Sequence, residues 1–327
     1  MQLEYFKEHI LNIKPENFED LALEIFRFQL ENNIIYKQFV KNLGVNISNI
    51  KKLEQIPCLP IEFFKFYSIR SIQEPYQIVF ESSGTTLTSK SKHYLTDTNF
   101  YTQNSIRLFE QVYGSLEDYH ILALLPSYLE QGASSLVFMI ERFIEASKSE
   151  YAGFYLYDYE KLFQTIEIIR KNKDRKVLLV GVTFALLDLA ESFSIDLSDV
   201  IVMETGGMKG RRKEMIREEV HEILQNNLQV NTVHSEYGMT ELISQAYSKG
   251  QGIFEMPATM RILLREVNDP LTYTKKRGVI NVIDLANIET CAFIATQDLG
   301  TILENNQFMV LGRSDNTEQR GCNLMIQ

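Results

Sequence analysis

Apolar residues recur at two different spacings along this chain, and the spacing predicts the secondary structure. Between Leu21 and Val40 they recur at helical spacing, and residues 1 to about 75 are predicted to be mostly helical. From residue 119 onward, short apolar runs alternate with segments of helical period. Strands separated by helices of this length predict a parallel sheet covered on both faces.

The alternating region resolves into individual elements. The predicted strands lie at 119–125, 177–181, 199–205 and 230–234, and the predicted helices at 99–113, 133–146, 160–171, 183–193 and 212–225. After about residue 253 the pattern changes to β-rich segments with turn signals. The sequence therefore predicts an α/β core followed by a β-rich part.

Composition and charge exclude several classes of protein. An apolar share of 45% is that of a folded globular protein. A net charge of −10 argues against nucleic acid as the main partner, which needs a basic face. The apolar run from Val177 to Leu187 is too short to span a bilayer, and the N-terminus lacks the apolar region of a signal peptide. Three cysteines without paired spacing favour a reducing compartment, so we expect a soluble cytoplasmic protein.

Polar loops follow the predicted strands, at the edge where open α/β sheets bind ligands. The first carries hydroxyl groups and a glycine directly after the apolar run YQIVF, at Ser82, Ser83, Gly84, Thr85 and Thr86. Backbone N–H groups and hydroxyls in such a loop suit phosphate oxygens, and Lys90 could neutralise phosphate charge. The spacing is not that of a P-loop, and a plain turn remains the alternative.

The second informative loop is HSEYGMTE, which follows the apolar run VNTV. The ring of Tyr237 could stack on a base, the Thr240 hydroxyl could reach a phosphate, and Glu241 could hold Mg²⁺ through one oxygen. The alternative is a turn at a strand end, with Glu241 opening a helix. The spacing alone leaves both interpretations open.

These two loops, in this order, resemble the motifs of the adenylate-forming superfamily of acyl-CoA synthetases and related ligases. Thr296–Gly300 (TQDLG) resembles the segment whose aspartate binds the ribose, and Gly312–Asp315 (GRSD) resembles the hinge. The resemblance covers residues 60 to 327 and implies that ATP and Mg²⁺ are bound. The ATP-binding residues it implies are Ser82, Ser83, Gly84, Thr85, Thr86, Gly206, Gly207, Glu236, Tyr237, Gly238, Thr240, Asp298 and Arg313. It further implies that Glu241 is the metal ligand and that Lys90 and Glu241 are catalytic.

Within that superfamily the sequence resembles the LuxE-type acyl-protein synthetases, which are related to phenylacetate-CoA ligase. The segments on which this resemblance rests are PCLPIEFFK, LLPSYLEQGASSLVFMIE and the ending GRSDNTEQRGCNLMIQ. The implied fold is the large N-terminal domain, with mixed sheets flanked by helices and a small β-rich subdomain, without the mobile C-terminal domain. The expected divisions are a helical region (1–75), an α/β nucleotide-binding core (76–250), a β-rich subdomain (251–312) and a C-terminal tail (313–327).

The tail carries Cys322 beside Arg320, and a cationic neighbour favours the reactive thiolate. In LuxE-type proteins a cysteine near the C-terminus is acylated, and Cys322 is the matching position. The resemblance thus implies activation of a fatty or other carboxylic acid to acyl-AMP and capture by Cys322. The expected partner is an acyl-CoA-reductase-type enzyme or another acyl-acceptor protein. Two alternatives stay open: transfer to CoA, a carrier protein or a sugar, and a non-catalytic nucleotide-binding or scaffold protein.

Overall fold

The computed structural model of the protein describes residues 2–82, 89–126, 133–207, 215–269 and 271–314. The helices in these ranges are α1 (Gln2–Leu11), α2 (Phe18–Asn32), α3 (Ile34–Asn42), α4 (Phe63–Phe66), α5 (Thr98–Tyr113), α6 (Ser135–Ser147), α7 (Tyr159–Asn172), α8 (Thr183–Ser192) and α9 (Arg217–Leu228). The strands are β1 (Leu59–Pro60), β2 (Ile78–Glu81), β3 (Lys92–Leu95), β4 (Tyr119–Leu124), β5 (Gly153–Phe154), β6 (Lys176–Val182), β7 (Val200–Thr205), β8 (Val233–Tyr237), β9 (Ala246–Ser248), β10 (Ile253–Glu255), β11 (Met260–Arg265), β12 (Tyr273–Thr274), β13 (Arg277–Asp284), β14 (Phe293–Ile302) and β15 (Gln307–Arg313). None of these helices is long and apolar enough to cross a membrane.

One large sheet organises the described part of the chain. Its strands follow the order β12-β11-β13-β14-β15-β10-β9-β8-β7-β6-β4-β5, and β1 pairs in parallel with β14. Strands β5, β4, β6, β7 and β8 run parallel, and every pairing along the path from β8 to β12 is antiparallel. The continuous apolar runs of β4 and β6 are buried, as expected of parallel strands covered on both faces. Strands β2 and β3 form a separate antiparallel pair.

The register of the parallel strands aligns their carboxyl ends. Thr205 at the end of β7 is paired with Val182 of β6, and Glu204 is paired with Ser235 of β8. Polar residues that follow one another along β7 and β8 therefore lie at the same edge of the sheet. The direction of pairing reverses between β8 and β9, next to this edge.

The predicted helix between Leu21 and Val40 is two helices, because Asn33 interrupts it. Asn33 has an extended conformation (φ −102°, ψ 104°), and its N–H still donates to the carbonyl of Gln29 at the end of α2. Its side-chain oxygen accepts a hydrogen bond of 2.9 Å from the N–H of Tyr36, which caps α3. The apolar spacing continues through the break, so the pattern alone predicts one helix.

The N-terminal helices are fixed to the loop between β13 and β14 by the buried amide of Gln29. Its Nε2 donates to the carbonyls of Asn287 and Ile288 at 3.0 and 3.1 Å. Its Oε1 accepts a hydrogen bond of 2.9 Å from the N–H of Ala292. This loop also contacts the candidate site, so the N-terminal helices support the site from behind.

Two predicted boundaries near the site are wrong. Of the helix predicted at 212–225, residues 212–214 lie outside the described residues, and α9 begins after Ile216, which is extended (φ −73°, ψ 155°) and whose N–H donates to the carboxylate of Glu219 in the first turn. The strand predicted at 230–234 lies at Val233–Tyr237. The polar residues SEY are therefore strand rather than loop, because their side chains find partners inside the protein.

Candidate functional site

A cavity of roughly 730 Å³ lies where the ends of β7 and β8 face β14 and β15. The residues predicted to bind ATP that line it are Ser82, Gly206, Gly207, Glu236, Tyr237, Gly238, Thr240, Asp298 and Arg313. Glu241, the predicted metal ligand, also lines it. Segments more than 200 residues apart in the sequence thus meet in one space. Ser83, Gly84, Thr85, Thr86 and Cys322 lie outside the described residues.

The two ends of the hydroxyl-rich loop are held together by Ser82 and Ser91. The N–H of Ser82 donates to the carbonyl of Ser91 at 3.0 Å, and the N–H of Ser91 donates to Ser82 Oγ at 2.9 Å. Both residues line the cavity. This pairing anchors the described ends of the predicted phosphate loop at the cavity wall.

Lys90 is not among the cavity-lining residues. Its Nζ lies 3.4 Å from Glu81 Oε2, in a half-exposed ion pair at the end of β2. Such a pair contributes little to stability, so a phosphate could compete with Glu81 for the lysine. Its assignment as a catalytic residue remains a prediction.

Tyr237 and Asp298 join the parallel and antiparallel halves of the sheet at the cavity. The Tyr237 hydroxyl donates a hydrogen bond of 2.9 Å to Asp298 Oδ2. Burial and the nearby Asp298 charge raise the pKa of Tyr237 well above its usual value, so the phenol keeps its proton. The hydroxyl therefore orients the carboxylate that the sequence assigns to the ribose. Arg313, at the end of β15, donates to the side chain of Gln297 beside it.

Two buried carboxylates lie next to each other at the ends of β7 and β8. Burial and the neighbouring Glu204 charge raise the pKa of Glu236 to about 7, although the Thr205 hydroxyl donates to the carboxylate. Glu204 is also buried, yet contacts with His221 and the charge of Arg217 outweigh burial and hold its pKa below the usual value. Glu204 is thus compensated by the cationic Arg217, whereas Glu236 receives only a hydroxyl donor from Thr205.

The sequence did not single out most residues of this acidic region. Thr183, Glu204, Thr205, Arg217 and Gln245 line the cavity together with Glu236. The signal was present in part, since an acidic residue, Glu204, is the penultimate residue of the buried strand VIVMET. Strand order and register determine which of these residues line the same cavity, and the spacing of apolar residues in the sequence does not reveal either of them.

Glu241 fits the metal-ligand role that the sequence assigns to it. Burial raises the pKa of its carboxyl in spite of the Ser91 hydroxyl and the charges of Lys65 and Arg313, and no ion pair within 4 Å of it is found among the described residues. A cation in the cavity would compensate this charge. No cluster of three or more histidine, cysteine or acidic side chains suited to a metal occurs in the described part of the chain. Mg²⁺ tolerates such a site, because it retains water and phosphate oxygens among its ligands.

A buried network behind the cavity holds the backbone of the YGMTE segment. The Nδ1 of His93 lies 2.6 Å from the carbonyl of Thr240, which can only accept, so Nδ1 carries the proton. The other ring nitrogen lies 2.9 Å from the Thr290 hydroxyl. The side-chain amide of Asn287 donates to the carbonyl of Glu241 at 2.7 Å. These contacts fix the backbone of Thr240 and Glu241 independently of any ligand.

The two other cysteines differ in exposure. Cys291 is fully buried, whereas Cys58 is half-buried and lines a second cavity of about 1360 Å³, adjoining the first. Burial raises the pKa of Cys58 to about 12 and that of Cys291 further. Both thiols therefore stay protonated and are poor nucleophiles.

His93 is expected to make the stability of the protein depend on pH. Burial lowers its pKa from 6.5 to about 4. Between these values the unfolded chain binds a proton that the folded protein excludes, so stability is complete above pH 6.5 and falls as the pH drops towards 4. The difference is worth about 3 kcal/mol. Denaturant unfolding at several pH values, for the wild type and His93→Gln, measures it.

In this experiment the His93→Gln variant should lose less stability than the wild type between pH 6.5 and pH 4. His234, whose pKa is also lowered to about 4, acts in the same direction in both proteins and cancels in the comparison. His9→Gln, at an exposed position of α1, is the control and should retain the wild-type dependence. Equal pH dependence in the wild type and His93→Gln would contradict the prediction.

Solved ligase structures share this fold. A 2-hydroxyisobutyryl-CoA ligase in complex with 2-HIB-AMP and CoA matches with a TM-score of 0.61 at 13% identity, over 90% of this chain and 69% of that one. A long-chain-fatty-acid-CoA ligase from Archaeoglobus fulgidus matches with a TM-score of 0.53 at 17% identity, over 78% of this chain and 54% of that one. MatB from Rhodopseudomonas palustris matches with a TM-score of 0.52 at 15% identity, over 75% of this chain and 50% of that one. The chain thus spans about half to two thirds of these ligases.

Neither a protein-family model nor a curated protein matches the sequence. At identities of 13 to 17%, the likeness to the solved structures concerns the fold. It confirms the prediction of a mixed α/β protein built like the N-terminal domain of adenylate-forming ligases.

Proposed function

We propose that this protein uses ATP to convert a fatty or other carboxylic acid into an acyl-adenylate and transfers the acyl group to a thiol, its own Cys322. The supporting observation is the convergence in one cavity of five separate segments that match nucleotide-binding motifs. These segments are Ser82, Gly206–Gly207, Glu236–Glu241, Asp298 and Arg313. The sequence resemblance supplies the reaction class, and the shared cavity supplies a place for it.

In the first step, a carboxylate oxygen of the acid attacks the α-phosphorus of ATP. The bond from that phosphorus to the oxygen bridging to the β-phosphate breaks, and pyrophosphate leaves. The protein lowers the barrier by positioning the two reactants and by placing donors at the phosphate oxygens. The Thr240 hydroxyl serves the α-phosphate, and Ser82, at the start of the hydroxyl-rich loop, serves the outer phosphates.

The nucleoside is held by the Tyr237–Asp298 pair. Asp298 accepts hydrogen bonds from the ribose hydroxyls, and the hydroxyl of Tyr237 keeps that carboxylate in place. Gly206 and Gly207, which follow β7, leave room for the base, since a β-carbon at Gly207 would meet no atom of the described residues within 4 Å. Glu241 would hold Mg²⁺, and the bound ion would neutralise phosphate charge.

In the second step, the thiolate of Cys322 attacks the acyl carbonyl of the adenylate. The bond from the carbonyl carbon to the phosphate oxygen breaks, AMP leaves, and a thioester forms; the thiol proton passes to solvent. No oxidant or reductant is required. The thioester is then available to a partner such as an acyl-CoA-reductase-type enzyme.

Intact-protein mass spectrometry tests this proposal. The protein is incubated with ATP, Mg²⁺ and a panel of carboxylic acids, beside the Cys322→Ser variant. We expect an ATP-dependent acyl adduct that hydroxylamine removes and that the variant lacks. The mass of the adduct would identify the acid.

Two other outcomes would separate the alternatives. Pyrophosphate exchange without an adduct on either protein would contradict self-acylation and move the acceptor to CoA, a carrier protein or a sugar. ATP binding without an adduct or exchange would contradict the enzymatic function and favour a nucleotide-binding or scaffold protein. Adding CoA to the exchanging protein and measuring acyl-CoA distinguishes the first alternative.

A further inference from the structure

The end of the cavity formed by β7 and β8 is rich in hydrogen-bond acceptors. Glu204, Glu236 and Gln245 are each at least nine-tenths buried, and all three line the cavity. Tyr101, Leu136 and Met139 also line it and provide apolar wall. A substrate group that enters this end meets a mostly apolar surface with a few fixed acceptors.

Gln245 presents an acceptor without a partner. Its Nε2 donates to the carbonyl of Ile243 at 3.0 Å, which fixes the orientation of the amide. Its Oε1 is buried and has no hydrogen-bond partner among the described residues. A buried acceptor left unpaired costs on the order of 1–3 kcal/mol. A donor supplied by a ligand would remove this cost.

Glu236 differs from Glu204 in its partners. Glu204 is paired with Arg217 at 3.2 Å, whereas no salt bridge to Glu236 is found among the described residues. The hydroxyl of Thr205 is the donor that Glu236 receives from β7. A donor from the substrate, above all a cationic one, would compensate this carboxylate. Its raised pKa agrees with an uncompensated position.

The absence of a side chain at Gly238 leaves space for the side chain of Glu236. A β-carbon at residue 238 would lie 2.2 Å from Glu236 Oε1 and 3.4 Å from the γ-carbon of Gln245. The glycine of the YGMTE segment therefore makes room for the Glu236 carboxylate, whereas the Gln245 side chain would be only in ordinary van der Waals contact. A residue with a β-carbon at this position would displace the Glu236 carboxylate.

We propose that this end of the cavity selects a carboxylic acid that carries a hydrogen-bond-donating group, a hydroxyl or an ammonium, whose hydrogen bonds Glu236 and Gln245 accept. The sequence resemblance groups Glu236 with the ATP-binding residues; on this proposal its carboxylate contacts the acid instead of the nucleotide. The inference rests on the proposed function, since it specifies the acid that is activated. A site built to bind such a group discriminates strongly against an analogue that lacks it, because its own buried acceptors are then left unpaired.

The test is ATP–pyrophosphate exchange with matched triplets of acids. In each triplet an ammonium or a hydroxyl group replaces a methyl group at the same position. The triplets are alanine, lactate and isobutyrate; β-alanine, β-hydroxypropionate and butyrate; γ-aminobutyrate, γ-hydroxybutyrate and valerate; and ε-aminocaproate, ε-hydroxycaproate and heptanoate. We expect kcat/KM in at least one triplet to favour a donor-bearing acid over its methyl counterpart by about 10-fold or more.

Variants of the two acceptor residues distinguish the ammonium from the hydroxyl group. The measured quantity is the ratio of kcat/KM values within a triplet, so a change in the overall rate does not affect it. Glu236→Gln should lower an ammonium-to-methyl ratio at least about 10-fold, whereas it should largely keep a hydroxyl-to-methyl ratio, since its amide oxygen still accepts. Gln245→Met should lower either ratio. Glu304→Gln, at an exposed position, is the matched control and should leave the ratios unchanged.

The outcomes separate this inference from the proposed function. Exchange that favours the methyl acid in every triplet, or ratios that Glu236→Gln and Gln245→Met leave unchanged, would overturn the inference and retain the function. Absence of exchange with these acids and with long-chain fatty acids would overturn both. Thermal unfolding of each variant confirms that it is folded before the ratios are compared.

Discussion

Replacing Glu241 with glutamine is expected to lower the rate of ATP–pyrophosphate exchange by about 100- to 1,000-fold, the usual effect of removing one preplaced electrostatic group. The change preserves the size of the side chain and an acceptor for the hydroxyl of Ser91, but it removes the charge. Burial disfavours that charge in spite of the Ser91 hydroxyl and the charges of Lys65 and Arg313, and we propose that bound Mg²⁺ compensates it during function.

The exchange rate of the wild type and of Glu241→Gln should be measured across a Mg²⁺ titration. The variant should require more Mg²⁺ for its residual rate, because its neutral amide is a weaker ligand than a carboxylate. Glu304→Gln serves as the control for loss of one negative charge at an exposed position. Equal rates and equal Mg²⁺ dependence in the wild type and Glu241→Gln would contradict the role of Glu241 as the metal ligand.

The spacing of apolar residues predicted the central strands β4, β6 and β7 of the parallel half, because each of them is a continuous apolar run in the sequence, whereas β5 was not predicted and β8 was placed about three residues too early. The strands around Val180 and Val202 are short apolar runs between segments of helical period, and they lie where the sequence places them. The motif residues predicted from the loops also meet in one cavity where they are described, with Lys90 as the exception. The motifs therefore indicated which residues lie close together, although a sequence motif gives no distances between them.

The features of the fold and the site that the sequence did not predict depend on contacts between residues that are distant in the sequence. Glu236 was assigned to a loop because it is polar, and it lies in β8 because Thr205 on the neighbouring strand is its partner. The pairing of Lys90 with Glu81 and the unpartnered oxygen of Gln245 likewise follow from tertiary placement. A single sequence gives the chemistry of such residues but leaves open which partners they meet.

A large loss of stability is expected when Asp284, at the end of β13, is replaced. The carboxylate of Asp284 binds the segment that follows YGMTE. Its side chain is fully buried, and Oδ2 accepts from the N–H groups of Ile243 and Ser244 at 2.8 and 2.9 Å. Its Oδ1 accepts from the hydroxyl of Ser244 at 2.6 Å and from the N–H of Ala286 at 3.2 Å. Asp284→Ala leaves these donors buried without an acceptor and is expected to lower the free energy of unfolding by at least about 3 kcal/mol.

Denaturant unfolding of Asp284→Ala, Asp284→Asn and Asp269→Ala tests this expectation. The asparagine variant keeps one acceptor oxygen and should lose less stability than the alanine variant. Asp269 also accepts hydrogen bonds from a turn, but it is exposed, so water replaces the lost acceptor and the loss should be much smaller than that of Asp284→Ala. Similar losses in Asp284→Ala and Asp269→Ala would contradict the anchoring role. Because the anchored residues Ile243 and Ser244 lie between Glu241 and Gln245, the carboxylate of Asp284 also fixes the backbone that carries the Gln245 side chain at the cavity.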